Sequence, residues 1–399
     1  MANIPSEFLS LSRSMRAIGL FPTALSIERQ NNDAPKSLMQ HSYPLILCCL
    51  SWINALRIGT HLIWVKDFNV KQILYSGLIL CYFFLGAILR TVFTISNFQY
   101  RIVNSFKNLF SNDCPLWKDL KGYSNTCRKT RSSVVRFLHV YSWFYVVMNN
   151  SFIIILALID RQNFANVISP FPYIGSELIF YIGIGVVSLL QISTDTACVF
   201  GNTYVATYTI ELATKFDIIT KWIGEKAWTP GISRGVESNS LNEKFDVENI
   251  RMAHLYWVTR VKEFDQLSRF VIGSAMTFGF YGLLVNVFLF IGGVGNASYL
   301  LLMVWVSWAV IGSFFLFCHL LSSSHLNKTT TDAVDALFRV PTRNLFKANN
   351  TEASFNLLFF VNQCTAEPIA LTFFDLFYLR NEAVMAVGLF FYNRSVPIF

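Results

Sequence analysis

Seven apolar runs, each about the 20 residues that an α-helix rising about 1.5 Å per residue needs to cross about 30 Å of hydrocarbon, divide the 399-residue chain. They fall at Tyr43–Trp64, Ile73–Phe93, Val134–Ile159, Tyr173–Phe200, Phe270–Val294, Tyr299–Leu320 and Ile369–Tyr392. Asp375, Arg380 and Glu382 interrupt the first half of the last run, so its bilayer part is expected to begin near Ala383. Lipid offers no partner for open backbone groups, and the runs are too long and too continuously apolar for barrel strands; helices are the predicted element. The expected fold class is therefore all-α, a polytopic membrane protein with seven transmembrane helices.

Lys and Arg fall on alternate sides of these runs. Arg13, Arg16, Arg29 and Lys36 precede the first span, Arg101 to Arg131 follow the second, Lys215 to Arg269 follow the fourth, and Lys328, Arg339, Arg343 and Lys347 follow the sixth. The other side carries Lys66, Lys71, Arg161 and Arg394. Basic loops stay in the cytoplasm, which predicts an internal amino terminus and an external carboxyl terminus. This is the reverse of a G-protein-coupled receptor. The net charge of +8 follows from juxtamembrane segments facing anionic lipid, and no folded basic surface with stacking aromatics suggests nucleic acid.

The predicted organisation is a cytoplasmic segment at 1–42, four spans at 43–200, a cytoplasmic helical segment at 201–269 with a flexible loop at 229–242, two spans at 270–320, a cytoplasmic segment at 321–368, and the seventh span with the carboxyl end at 369–399. The amino terminus lacks the layout of a signal peptide, so the first span is expected to act as an uncleaved anchor. The fourth span is predicted to run on as a helix through Asn202–Trp228, with Glu211/Lys215 and Asp217/Lys221 at i,i+4 spacing. A second amphipathic stretch sets Val247, Ile250, His254, Trp257, Val258 and Val261 on one face, and the sixth span continues towards Phe338 until Pro341 stops it. These extensions form either a solvated juxtamembrane bundle or a contact between subunits.

Sequons at Asn296 and Asn393 lie on the expected outer side and are glycosylation candidates. None of the eight cysteines is assigned to an external loop, so no structural disulfide is expected. Phosphate-loop, zinc-helix and C-x-x-C patterns are absent, which points away from an enzyme and from any cofactor or metal.

Polar groups inside the spans remain, and each charged one costs roughly 2.5–3.5 kcal/mol near a helix centre without a partner or water. Arg90, Arg136 and Arg269 sit at predicted cytoplasmic ends, where snorkelling accounts for them. Arg57 lies deeper, near Asn54 and His61, and Glu177 is its expected partner. Asn149, Asn150, Glu177, Tyr181, Tyr281, Asn286, Trp305 and Trp308 are candidates for a pocket between helices that binds a small molecule. The same groups equally suit interhelical hydrogen bonds and interface aromatics.

At the carboxyl end, Phe373-Phe374 is followed by Phe391-Tyr392 and then the terminal Phe399. This ending resembles the seventh helix of the insect gustatory and odorant receptors and their invertebrate relatives, with Tyr392 and Phe399 in the family's Tyr and Phe places. Span count, sidedness, length and inner helical extensions resemble the same superfamily. The match in residues is confined to the last span. Phe391 stands for Thr, Ile398 for Gln, and Asn393-Arg394-Ser395-Val396-Pro397 for an apolar run, as in a divergent member such as a nematode gustatory-receptor-like or class r serpentine protein.

The resemblance implies a chemosensory receptor of the plasma membrane, a homo- or hetero-tetramer joined through its inner helices, with a ligand pocket in each subunit. It also implies a central cation pore lined by the seventh helix, with Ser395 and Phe399 facing it and Phe399 as a hydrophobic gate. Arg394 would repel a cation there, and Pro397 would disturb the last turn. A metabotropic receptor is the alternative, although no D-R-Y triplet ends the third span and no N-P-x-x-Y sits in the seventh; a transporter would need paired halves, and none is visible.

Overall fold

A computed structural model describes residues 5–20, 38–64, 70–95, 124–159, 176–228, 247–293, 299–339 and 369–395, with Arg161 and short stretches between 101 and 114 and between 355 and 362. The helices are α1 (Ser6–Ala17), α2 (Leu38–Trp64), α3 (Val70–Thr94), α4 (Ser124–Ile159), α5 (Glu177–Trp228), α6 (Val247–Gly293), α7 (Tyr299–Phe338) and α8 (Asn381–Ser395). Six of them, α2 to α7, are long and apolar enough to cross a membrane, so the chain is a multi-pass helical membrane protein. The expected loop at 229–242 lies outside the described residues.

α5, α6 and α7 run 52, 47 and 40 residues, about twice the length of a bilayer crossing or more. They end at Trp228, begin at Val247 and end at Phe338, so their surplus turns gather at one end of the bundle. There Ile250, His254, Trp257 and Val261 are buried, which makes the bland face of a solvated helix into a packed core. Before Phe270, the helix α6 carries Glu248, Arg251, Arg260 and Glu263, two i,i+3 ion pairs that keep this part out of hydrocarbon. His254 sits between the rings of Phe216 and Phe360 at 5.1 and 5.0 Å, and burial pushes its pKa down to about 4.

Beside it, Glu211 on α5 is bridged by Arg131 of α4 at 3.2 Å and by Lys215 at 3.3 Å, all three buried. Burial lowers the Lys215 pKa while Glu211 pulls the other way. Where α6 crosses α7, Gly279 and Gly312 bring the two backbones together. A Cβ on Gly279 would stand 2.7 Å from the Gly312 carbonyl oxygen, the close approach that small residues give to membrane helices.

The amino-terminal segment contains a helix that its mixed composition concealed. Phe8, Leu11 and Met15, at i, i+3 and i+7, form the buried stripe of α1. Gly19, at φ 70°, closes it in a Schellman motif: the Leu20 amide donates to Met15 O at 2.8 Å and the Gly19 amide to Arg16 O at 3.0 Å. Ser14 meets His139 of α4 at 2.8 Å, and Phe8 packs edge-on against Phe110 at 5.0 Å.

Arg90 does not snorkel. Its guanidinium is fully buried and donates to the Ile18 carbonyl just beyond α1, to Ser193 O at 2.5 Å and to Thr196 Oγ1 at 2.8 Å on α5. A cation that would otherwise have to reach water instead joins α1, α3 and α5 through hydrogen bonds to their oxygens. Arg136 is exposed, and Arg269 pairs with Asp375 at 3.0 Å. Arg57 donates to Asn54 Oδ1 at 3.0 Å, and Glu177 is paired with Arg161 at 3.8 Å, so the expected Arg57–Glu177 pair does not form.

The seventh run is not helical from Ile369. Thr372–Phe373 and Phe377–Tyr378 form a two-stranded antiparallel hairpin, β1 and β2, with Thr372 opposite Tyr378. Its turn holds Phe374 and Asp375 at positive φ, 48° and 65°. Asp265 of α6 fixes the hairpin by accepting from the Thr372 amide at 2.7 Å and from its hydroxyl at 2.9 Å. These polar anchors and the 375–382 charges stop the helix from starting before Asn381. What remains, α8, is a 15-residue helix that packs against α7 through Val384 and Val387 on the main core.

Candidate functional site

At the end of the bundle away from the helical extensions, α3, α4, α5 and α7 enclose a cavity. Ile79 and Phe83 come from α3, Asn149, Phe152, Ile153 and Leu156 from α4, Gln191 from α5, and Val304 and Trp308 from α7. The spacing 149, 152, 153, 156 is one face of a helix, which is why about two turns of α4 supply nearly half the wall. The wall is apolar except at Asn149 and Gln191. Its volume is about 20 Å³, room for about one water.

Those two polar groups belong to a buried network. Asp195, one turn beyond Gln191 on α5, accepts hydrogen bonds from Gln191 Nε2 at 2.7 Å, Asn149 Nδ2 at 2.8 Å, Tyr82 Oη at 2.8 Å and Asn150 Nδ2 at 3.1 Å. Four donors from α3, α4 and α5 satisfy the carboxylate in a place where water cannot. Asn149 and Gln191 each spend one N–H on Asp195 and, as primary amides, keep a carbonyl oxygen and a second N–H to offer to a bound molecule. Trp308 stacks at a tilt on Tyr82 at 5.5 Å, so the aromatic wall is held by the same network.

The structure thus brings Asn149, Asn150 and Trp308 together around Asp195. Trp305 is buried on the same helix as Trp308 but does not line the cavity. Tyr281 lies against Gly77, with its hydroxyl 3.5 Å from where a Cβ would be, and Asn286 bonds back to Gly282 O at 2.7 Å within α6. Tyr181 and Glu177 are exposed at the start of α5. Ser395 is the last residue of α8, and Tyr392 and Asn393 lie in its final turn, while Phe399 and Asn296 fall outside the described residues. Phe373 and Phe374 are in the hairpin, where Phe374 covers Gly273.

Asp195 and Gln191 are the residues that sequence reasoning missed. Their signal was present: a carboxylate inside an apolar run, preceded at i−4 by an amide, needs a partner in the bilayer.

A second, wider cavity of about 550 Å³ lies between α4, α6 and α7. It is lined by apolar and aromatic side chains, among them Phe144, Met148, Phe152, Phe290, Met303 and Val306, and it opens to the outside of the bundle. Among the described residues, no group of three or more His, Cys, Asp or Glu side chains is placed to hold a metal.

No family model and no curated protein matches the chain by sequence. Solved structures do match by fold. The chain is similar over 98% of its length to the insect olfactory receptor OR5 from Machilis hrabei, covering 98% of that chain, with a TM-score of 0.77 at 14% identity. The same receptor in complex with eugenol matches with a TM-score of 0.74 at 14% identity, over 96% of this chain and 95% of that one. At this identity the likeness is one of fold, and it extends end to end.

Proposed function

We propose that this chain is a chemosensory receptor of the insect odorant and gustatory receptor superfamily, a ligand-gated cation channel in which a small molecule binds between the membrane helices. The observation that carries the reading is the cavity closed by α3, α4, α5 and α7, with two amides set in an apolar wall, in a chain whose fold matches an insect olfactory receptor from end to end. A wall of this kind suits an uncharged, largely apolar molecule with one hydrogen-bonding group. That the matched receptor has been seen in complex with eugenol, a molecule of this description, supports the assignment.

The reading includes seven spans, with α8 as the short seventh, an internal amino terminus and an external carboxyl terminus. Four copies assemble through the extended ends of α5, α6 and α7, with α8 and Ser395 at a central axis. The ligand acts by binding the open assembly more tightly than the closed one. Asp265 and Thr372 then join the pore helix to α6. Particle symmetry of the purified protein in detergent tests the assembly: four-fold particles with α8 at the axis are expected, and a stable monomer would count against a channel.

A further inference from the structure

The cavity at Asn149 has the polar groups of a binding site but only about 20 Å³, far below the several hundred Å³ of a typical small-molecule site. The groove beside it has about 550 Å³ in a wall that is mostly carbon, its polar atoms confined to the hydroxyls of Tyr141, Tyr145, Tyr299 and Ser307. Its Ser307 hydroxyl is already donated to Val304 O at 2.8 Å. One side chain, Phe152, lines both. Its ring is the partition between a site with chemistry and no room and a site with room and no chemistry.

We infer that Phe152 is a door, and that the groove between α4 and α7 is a lateral entrance through which small uncharged aromatic molecules pass from the bilayer into the cavity at Asn149 and Gln191. This rests on the proposed ligand cavity and adds its route and its gatekeeper. The groove opens among Phe144, Met303 and Val306, which are 60%, 59% and 47% exposed on helices that cross the membrane, so hydrocarbon is what they meet. Phe152 is half-buried on α4, and a helical phenylalanine exchanges between two χ1 wells without backbone movement. Swinging its ring joins the two volumes. The occupant is committed by the wall: a charged or strongly hydrated molecule would lose its water in the groove with no partner in return, whereas an apolar one is already concentrated in lipid.

The test uses the full chain in phosphatidylcholine vesicles and an uncharged aromatic photolabel, 3-trifluoromethyl-3-phenyldiazirine, flashed at set delays after mixing, with labelled residues mapped by mass spectrometry. Label is expected at Ile153 and Leu156 inside the cavity. Phe152→Ala should speed its appearance, and Met303→Trp or Val306→Trp, both on the exposed groove, should slow it at least fivefold. Cavity labelling at the wild-type rate in the groove variants and in Phe152→Ala would overturn the lateral route and leave the cavity reading standing. No cavity label at saturation in either wild type or Phe152→Ala would overturn both.

Discussion

Asn149 donates its amide hydrogen to the Asp195 carboxylate at 2.8 Å, joining α4 to α5 in the interior of the membrane bundle. The same side chain lines the cavity, so the bond that satisfies a buried carboxylate also fixes an amide in the cavity wall.

Asn149→Leu keeps the volume and removes the donor. It should lower stability by about 1–3 kcal/mol, the cost of leaving a buried acceptor short of a partner. Asp195→Leu strands donors from four side chains at once and should cost more. Thermal midpoints in detergent check the order; an Asn149→Leu protein as stable as wild type would show that the network is slack.

Gly279 has no room for a methyl group. A Cβ there would meet the backbone of α7 at 2.7 Å, an atom that cannot swing away. Gly279→Val should therefore abolish monodisperse protein in size-exclusion chromatography. Gly183 has nothing within 4 Å of the same position, so Gly183→Ala serves as the tolerated control.

Asp265 accepts from both the amide and the hydroxyl of Thr372. Asp265→Ala should free the hairpin from α6, while Asp265→Asn keeps an acceptor oxygen and part of the anchor. If the hairpin links α6 to a pore helix, the alanine variant should change the ligand concentration for half-maximal current several-fold at equal surface expression, and the asparagine variant less.

His254 gives the inner bundle a pH dependence. Its folded pKa, about 4, lies below the ordinary imidazole value of about 6.5, so the unfolded chain takes up the proton first. The contribution is whole above about pH 6.5 and is lost as pH falls towards 4, up to about 3 kcal/mol. Denaturation midpoints between pH 7 and 4 should fall more steeply for wild type than for His254→Phe, which removes the titration and keeps a ring between Phe216 and Phe360.

Apolar run length made the six long helices legible, and the i,i+4 ion pairs and Pro341 made the prolongation of two of them legible, through Trp228 and towards Phe338. Period and length are properties of the local chain. What could not be read is what depends on distant partners. Arg90 looks like a snorkelling cation until Ile18, Ser193 and Thr196 are brought to it, and Phe373-Phe374 looks like the start of a helix until Asp265 arrives from 107 residues away. Of the candidate pocket residues, Asn149 and Trp308 share a cavity because α4 packs beside α7, whereas Tyr281 lies against Gly77 of α3 and Asn286 donates back to Gly282 within α6. The α1 helix and Asp195 belong to a middle class. Their signals, Phe8, Leu11 and Met15 at helical spacing and a lone carboxylate in an apolar run, stand in the sequence but are short.

The most direct test of the receptor reading is current evoked by small uncharged aromatic molecules in cells expressing the chain, compared between wild type and a cavity-filling Ile153→Trp variant. The account predicts a cation current whose half-maximal concentration rises at least tenfold in Ile153→Trp at equal surface expression. An evoked current with the same concentration dependence in both would contradict it.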